Sequence, residues 1–309
     1  MNSYSEMFLQ KKHAFYWQAA VVMVLLISLL RGIRLPSLWS YTIYLFNYDS
    51  GFTKRGLLGE SIKLLDIQFL YSYQFFLMLS AALLMLNMVL ISILLWRLLK
   101  TGNIVLICCA FVFASSLAVV YLGHTIGFDD QFGLFITLVV IFIRGFYKKL
   151  LWIVPTFLWA QLNHEAMLII FYPVIFLALL TDIKTINQKL KIAALVVFSL
   201  VLIGLTFHLT TNLPDKKEVI EMRDEINNRI GMKTVPAAYI QLYRETSATL
   251  DKNWGVWRRD GKVMEYLNSF AVIFPSIFLL GWVTWLLQRK QGVSNIIKVL
   301  TVLAVISPQ

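Results

Sequence analysis

From Leu70 to Leu95 the chain contains no Asp, Glu, Lys or Arg. A charge-free stretch of that length exceeds the roughly 20 residues a helix needs to cross a ~30 Å hydrocarbon layer. Eight further apolar runs lie near 14–30, 104–122, 132–146, 150–162, 166–180, 192–209, 270–287 and 295–307. The expected fold is therefore all-α: one polytopic transmembrane helical bundle over 1–309, with short or broken middle helices. Composition agrees. Hydrophobic residues make up 59% and charged residues 15%, whereas soluble domains carry about 25% charged residues. Too few solvated side chains remain to cover a water-soluble globule, so a soluble enzyme is excluded.

The first run follows Lys11, Lys12 and His13, and no small-residue cleavage site comes after it. It reads as a retained anchor and not as a signal peptide. The runs 132–146, 150–162 and 166–180 are short, reaching only about 20–23 Å as helices. Such segments are tolerated where they line a protein-walled or water-filled cavity, and Pro155 and Pro173 lie in two of them. A single kinked helix over 150–180 is the alternative, and it would reverse all later topology. The last run, interrupted by Lys298, is either a partial span or the mark of a shortened chain. Cys108 and Cys109 are adjacent in an apolar run, which excludes a disulfide framework and a thiolate metal site.

The net charge of +11 invites a nucleic-acid reading until the charges are sorted by side. With a cytoplasmic N-terminus, the cytoplasmic segments carry Lys11, Lys12, Arg97, Lys100, Arg144, Lys148, Lys149, Lys184, Lys189, Lys191, Arg289 and Lys290. Only Glu6 and Asp182 oppose them. The short outer loops 123–131 and 163–165 contain no Lys or Arg. This is the positive-inside distribution of a membrane protein, so no nucleic-acid partner is needed; the partner is the lipid bilayer.

The outer side holds the unusual polar chemistry. Its first loop, 31–69, contains NYDSGFTKRGLLGE at 47–60. After Gly56 the chain reads as an amphipathic interfacial helix, with Leu57, Leu58, Ile62, Leu64 and Leu65 on one arc. That helix would hold Asp49, Lys54 and Arg55 at headgroup height. The bland alternative is a solvated linker touching anionic lipid.

The second outer loop, GHTIGFDDQFG at 123–133, carries His124, Asp129 and Asp130. Adjacent carboxylates need a proton, a cation or full hydration. A divalent metal (Mg2+ or Mn2+), bound through oxygen ligands and substrate phosphates, suits Asp129 and Asp130; alternatively Asp130 merely caps the next helix. In the third element, Asn163-His164-Glu165, hardly any loop carries His164 and Glu165 into water. A His beside a Glu serves as a proton shuttle or a ligand pair, although a lone His is more often structural.

The long outer loop, 210–269, opens with a charged helix after Pro214, apolar at Val219, Met222, Ile226 and Ile230. A second short helix follows Pro236. Further on, Trp254 and Trp257 stand beside a basic pair, Arg258 and Arg259. Arg forks bind phosphate bidentately, whereas interfacial Trp more often anchors a loop to the membrane. No Walker loop, dinucleotide fingerprint, GxSxG elbow or HExxH helix is present, so soluble cofactor chemistry has no support.

The first span with its acidic outer loop and interfacial helix resembles the GT-C class of membrane glycosyltransferases. The elements D-x-G-F-x-K-R-G-L-x-G from Asp49 to Gly59, G-x-x-D from Gly127 to Asp130, and His164-Glu165 also resemble bacterial polytopic proteins of surface-polysaccharide synthesis. The match covers short motifs over about residues 1–180. The resemblance implies sugar transfer from a polyprenyl-phosphate-linked glycan on the extracytoplasmic face of the bacterial inner membrane. It carries a base or acceptor-activating role onto Asp49 and a second acidic site onto Asp129 or Asp130. The chain departs from the class in lacking a DD, DE or ExD pair in its first loop and a large soluble C-terminal domain. An O-antigen-type polymerase or ligase is the nearest alternative. A proton- or ion-coupled transporter or flippase ranks behind it, because the two halves show no convincing internal repeat.

Overall fold

The computed structural model describes residues 2–49, 51, 54–100, 104–182 and 188–243. Among them it is all-helical, without strands. The first part comprises α1 (Asn2–Gly32), α2 (Leu38–Tyr44), α3 (Leu57–Leu65), a 3-10 turn (Gln68–Tyr71), α4 (Tyr73–Leu99), α5 (Ile104–Ala114) and α6 (Leu117–His124). There follow α7 (Asp130–Phe142), α8 (Phe146–Asn163), α9 (Met167–Ile170), α10 (Tyr172–Leu180), α11 (Gln188–Thr211), α12 (Lys216–Ile230) and α13 (Pro236–Tyr243). Among the described residues three helices are long and apolar enough to cross a membrane: Phe15–Gly32 of α1, α4 and α11. The runs expected at 270–287 and 295–307 lie outside the described residues, as do Trp254, Trp257, Arg258 and Arg259.

The helices pass back and forth between two ends. At one end Arg97 lies over the Phe142 ring (4.8 Å) and Lys191 over Phe146 (5.7 Å), while Lys149 pairs with Asp182 (3.0 Å) and donates to the Ala178 carbonyl (2.8 Å). The C-termini of α4, α7 and α10 therefore meet the N-termini of α8 and α11 there. The pairing of Lys149 with Asp182 joins the start of α8 to the end of α10. The two run antiparallel, and a single kinked helix over 150–180 is excluded. Lys149 is buried on α8, so the basic turn Phe146–Lys149 extends the apolar run 150–162 into an 18-residue helix.

One expectation needs correction. The run at 104–122 is not one helix: it breaks at Ser115 and Ser116. Ser115 bonds back to the Phe111 carbonyl (2.8 Å), the serine geometry that competes with the helical ladder and bends it. α3, read from the sequence as an interfacial amphipathic helix, keeps its apolar residues on one arc, which meets two surroundings. Ile62 is buried against the protein, whereas Leu64 is 78% and Leu65 is 62% exposed. The helix thus divides its apolar surface between the protein and whatever surrounds it.

Close backbone approach fixes the first helix pair. A Cβ on Gly32 would lie 1.9 Å from the Val120 carbonyl oxygen, and one on Gly123 would lie 2.9 Å from the backbone of α1. Small residues at such a crossing let two helices touch through their main chains.

The described residues form two apolar cores. The larger threads the bundle through residues such as Leu25, Ile91, Ile136, Ile153, Ile175 and Leu202. The second is a cap at the other end, where Tyr41, Phe46, Ile62, Tyr71 and Phe76 pack against Val219, Met222, Ile226 and Tyr239. Here α12 follows Pro214, N-capped by an Asp215–Glu218 capping box and closed by Gly231 in the left-handed region. The Val235 N–H donates to Thr42 Oγ1 (3.1 Å), and Arg229 stacks on Tyr71 (5.1 Å). Those contacts clamp α12 and α13 onto the first loop.

Candidate functional site

Where the cap meets the bundle, the turn at 54–56 lies on the break between α8 and α9. The Arg55 N–H donates to the Leu162 carbonyl (3.1 Å), and the Leu58 N–H donates to Asn163 Oδ1 (2.8 Å). Asn163 is itself fixed by donating to the Trp159 carbonyl (2.8 Å). Arg55 adopts φ +70°, a left-handed conformation that costs a non-glycine residue about 1–2 kcal/mol. Strain of this kind persists only where the surroundings impose it. Here it aims two successive cations inward.

Glu165 is what they meet. Lys54 Nζ lies 3.8 Å from Oε1, Arg55 Nε 3.6 Å from Oε2, and His164 Nδ1 3.6 Å from Oε2. Lys54 and Arg55 are nearly buried, and the Glu165 side chain is 15% exposed. Burial by itself would raise the proton affinity of Glu165. His164, Arg55 and Lys54 outweigh it and hold the carboxyl well below the usual carboxylate range. Burial depresses Lys54, with Glu165 opposing and Arg55 assisting. Arg55 Nη1 donates to Gln241 Oε1 of α13, which ties the cap to the cluster.

Asp129 approaches from the start of α7. It occupies the N-cap position yet makes no side-chain cap bond, although an N-cap carboxylate normally accepts from the first turn. Burial pushes its proton affinity up; His164 and Arg55 pull it down, and Asp130 and Glu165 add to the rise. Asn87, fully buried on α4, donates to the Gln131 carbonyl (2.8 Å) and Oε1 (3.0 Å), and Gln131 donates to the Leu122 carbonyl (2.7 Å). That network pins the Asp129–Asp130 turn to the bundle.

The structure thus brings together Lys54, Arg55, Asp129, His164 and Glu165. Asp130, in the first turn of α7, has a buried Oδ1 without a hydrogen bond and acts on Tyr121. His124 stacks beside Tyr121 (6.4 Å). Asp49 stands apart: its carboxylate accepts from Lys63 and from Asn47 Nδ2 (2.6 Å) on the exposed flank of α3. Sequence reading passed over Asn163 and Gln241. Asn163 was legible as the first residue of the polar triplet between two apolar runs, whereas nothing in the sequence joins Gln241 to Arg55.

Among the described residues no three or more His, Cys, Asp or Glu side chains converge as a metal-binding group. Asp129 feels the cations Arg55 and His164 as well as the carboxylates Asp130 and Glu165, and no step is routed through a divalent ion. Comparison with known protein families, curated proteins and solved structures finds no match.

Proposed function

We propose that this chain is a polytopic membrane glycosyltransferase that uses a polyprenyl-phosphate-linked sugar on the extracytoplasmic face, in bacterial surface-polysaccharide synthesis. The observation that carries the reading is the strained turn that holds Lys54 and Arg55, both nearly buried, against one ionised carboxylate. Two nearly buried cations side by side offer charged N–H donors to a phosphate. Arg97, Lys100, Arg144, Lys148, Lys149, Lys189 and Lys191 lie in the segments at the opposite end, which the positive-inside rule assigns to the cytoplasm. The cap then faces outward, and the exposed Leu64 and Leu65 of α3 rest in the headgroup layer, where a lipid phosphate would enter.

The roles follow from the chemistry. An acceptor hydroxyl attacks the anomeric carbon, and the bond from that carbon to the phosphate oxygen breaks. Asp129, whose proton affinity burial raises, accepts the hydroxyl proton as general base. Lys54 and Arg55 stabilise the departing polyprenyl phosphate. The test is sugar transfer by the purified full chain from polyprenyl-phosphate hexose donors to a water-soluble glycan acceptor. Transfer that Asp129→Asn and Lys54→Ala each reduce at least 100-fold supports the reading. Wild-type rates in both variants contradict it, and proton flux in proteoliposomes without sugar transfer favours the transporter.

A further inference from the structure

The Arg55 guanidinium is held by a residue of the long outer loop. Its Nη1 donates to Gln241 Oε1 on α13, and Gln241 is itself firmly placed. On the same helix Ala238, Tyr239 and Leu242 are buried in the cap. The Tyr239 ring packs on Phe46 at 5.0 Å, and its hydroxyl meets Thr234 Oγ1 at 3.1 Å. Thr234 in turn donates to Asn227 Oδ1 of α12 through its N–H (2.8 Å) and its hydroxyl (2.7 Å). α13 is thereby fixed against the loop that carries Arg55, and it presents one acceptor to that residue.

The consequence lies in which nitrogens are committed. A guanidinium is a planar, rigid fork, so holding one nitrogen while the backbone is anchored fixes the plane of the group. The anchor is the left-handed Arg55 backbone and its bond to Leu162. Nε faces the Glu165 carboxylate at 3.6 Å, and Nη1 is given to Gln241. Nη2 is the nitrogen left to meet a ligand, and the side chain keeps 12% of its surface exposed. The acceptor is also neutral. A carboxylate in its place would bind Arg55 more strongly, but it would set a further anion beside the nitrogen that meets a phosphate. An amide orients the cation and adds no charge against it. We infer that Gln241 is a positioning residue, which through Nη1 sets the Arg55 guanidinium so that Nη2 addresses the donor phosphate. The inference rests on the glycosyl-transfer reading for the identity of that donor. It makes α13 part of the donor site without contact to the substrate.

The test is equilibrium binding of polyprenyl phosphate to the purified full chain in nanodiscs of zwitterionic lipid, with thermal unfolding measured on the same samples. Gln241→Ala should weaken binding about tenfold, the loss of one hydrogen bond to a charged group. In an Arg55→Ala background the same substitution should weaken it no further, as expected of two groups that act as one. Gln241→Glu keeps the acceptor, so it should unfold at a temperature no lower than Gln241→Ala. It should nevertheless bind polyprenyl phosphate less tightly than Gln241→Ala, whereas a merely structural role makes binding follow stability. Unchanged affinity in Gln241→Ala overturns the inference, and so does an equal loss with and without Arg55. Wild-type binding in Gln241→Glu overturns it as well. All three outcomes leave the glycosyl-transfer reading intact. Failure of the wild-type chain to bind polyprenyl phosphate removes that reading and this inference together. Should Gln241→Ala fail to fold, an experimental structure of the wild-type chain with polyprenyl phosphate decides. Nη2 within about 3 Å of a phosphate oxygen, with Nη1 still on Gln241, supports the inference. A phosphate seated elsewhere, or a broken Arg55–Gln241 bond, overturns it.

Discussion

The backbone N–H of Arg55 donates to the carbonyl of Leu162 across 3.1 Å, joining a turn in the first loop to the end of α8 more than one hundred residues later. With the bond from Leu58 N–H to Asn163 (2.8 Å), it forms a two-point clamp. The clamp, more than any local preference, holds Arg55 in its left-handed conformation and sets Lys54 and Arg55 against Glu165.

Asn163 is accordingly a positioning residue. Asn163→Ala leaves the Leu58 N–H without its acceptor, and the expected loss is about 1–3 kcal/mol of stability. Thermal unfolding in detergent measures it. Polyprenyl phosphate binding should weaken as well, while Asn163→Asp, which keeps the acceptor oxygen, should restore most of the stability. Equal instability in both variants would contradict the clamp.

Asp129 should trade stability for function. Burial raises its proton affinity in the folded chain, so the folded state keeps this proton to a higher pH than the unfolded chain does. The associated stability is present in full below the ordinary carboxylate range and is lost as pH rises through the raised pKa. The anions Asp130 and Glu165 add to the effect, and Arg55 and His164 oppose it. Asp129→Asn has no proton to lose. Its melting temperature should therefore gain on the wild type as pH rises from acid to neutral, while transfer falls about 10²–10⁴-fold. A melting-temperature difference independent of pH contradicts this.

Asp49→Asn should be milder. Its carboxylate pairs with Lys63 on an exposed flank, where ion pairs contribute about 0–1 kcal/mol. Transfer rates within a few-fold of wild type are expected, against the large loss in Asp129→Asn. The reverse order would return the base to the first loop.

The α1–α6 crossing gives a packing test. Gly32→Val drives a side chain into the Val120 carbonyl and should cost about 3 kcal/mol or more, as severe overpacking does. Gly204→Ala meets nothing within 4 Å and should be nearly neutral. Melting temperatures of the two variants give the comparison.

Much of the fold is legible because apolar periodicity and helix punctuation are local signals. The charge-free run at 70–95 became α4, and Pro214 and Pro236 announced α12 and α13. The polar triplet at 163–165 marked the reversal between α8 and α9. The break at Ser115–Ser116 was hidden inside an apolar run, because two serines do not interrupt hydropathy. The site was legible as residue types and not as partners. Lys54, Arg55, Asp129, His164 and Glu165 all drew notice, but the choice of Lys63 by Asp49 and of Gln241 by Arg55 depends on tertiary contacts that no spacing encodes. The left-handed backbone of Arg55 was equally invisible, since it is imposed by the Leu162 carbonyl and not by a glycine.

The central claim, that Lys54 and Arg55 form the phosphate position of a lipid-linked donor, is tested most directly by equilibrium binding of polyprenyl phosphate to the full chain in nanodiscs of zwitterionic lipid. Binding should be saturable, should weaken at least tenfold in Lys54→Ala, and should persist in Lys63→Ala, whose cation lies on the exposed flank with Asp49. Equal binding by the wild-type chain and Lys54→Ala, or a loss confined to Lys63→Ala, would contradict it.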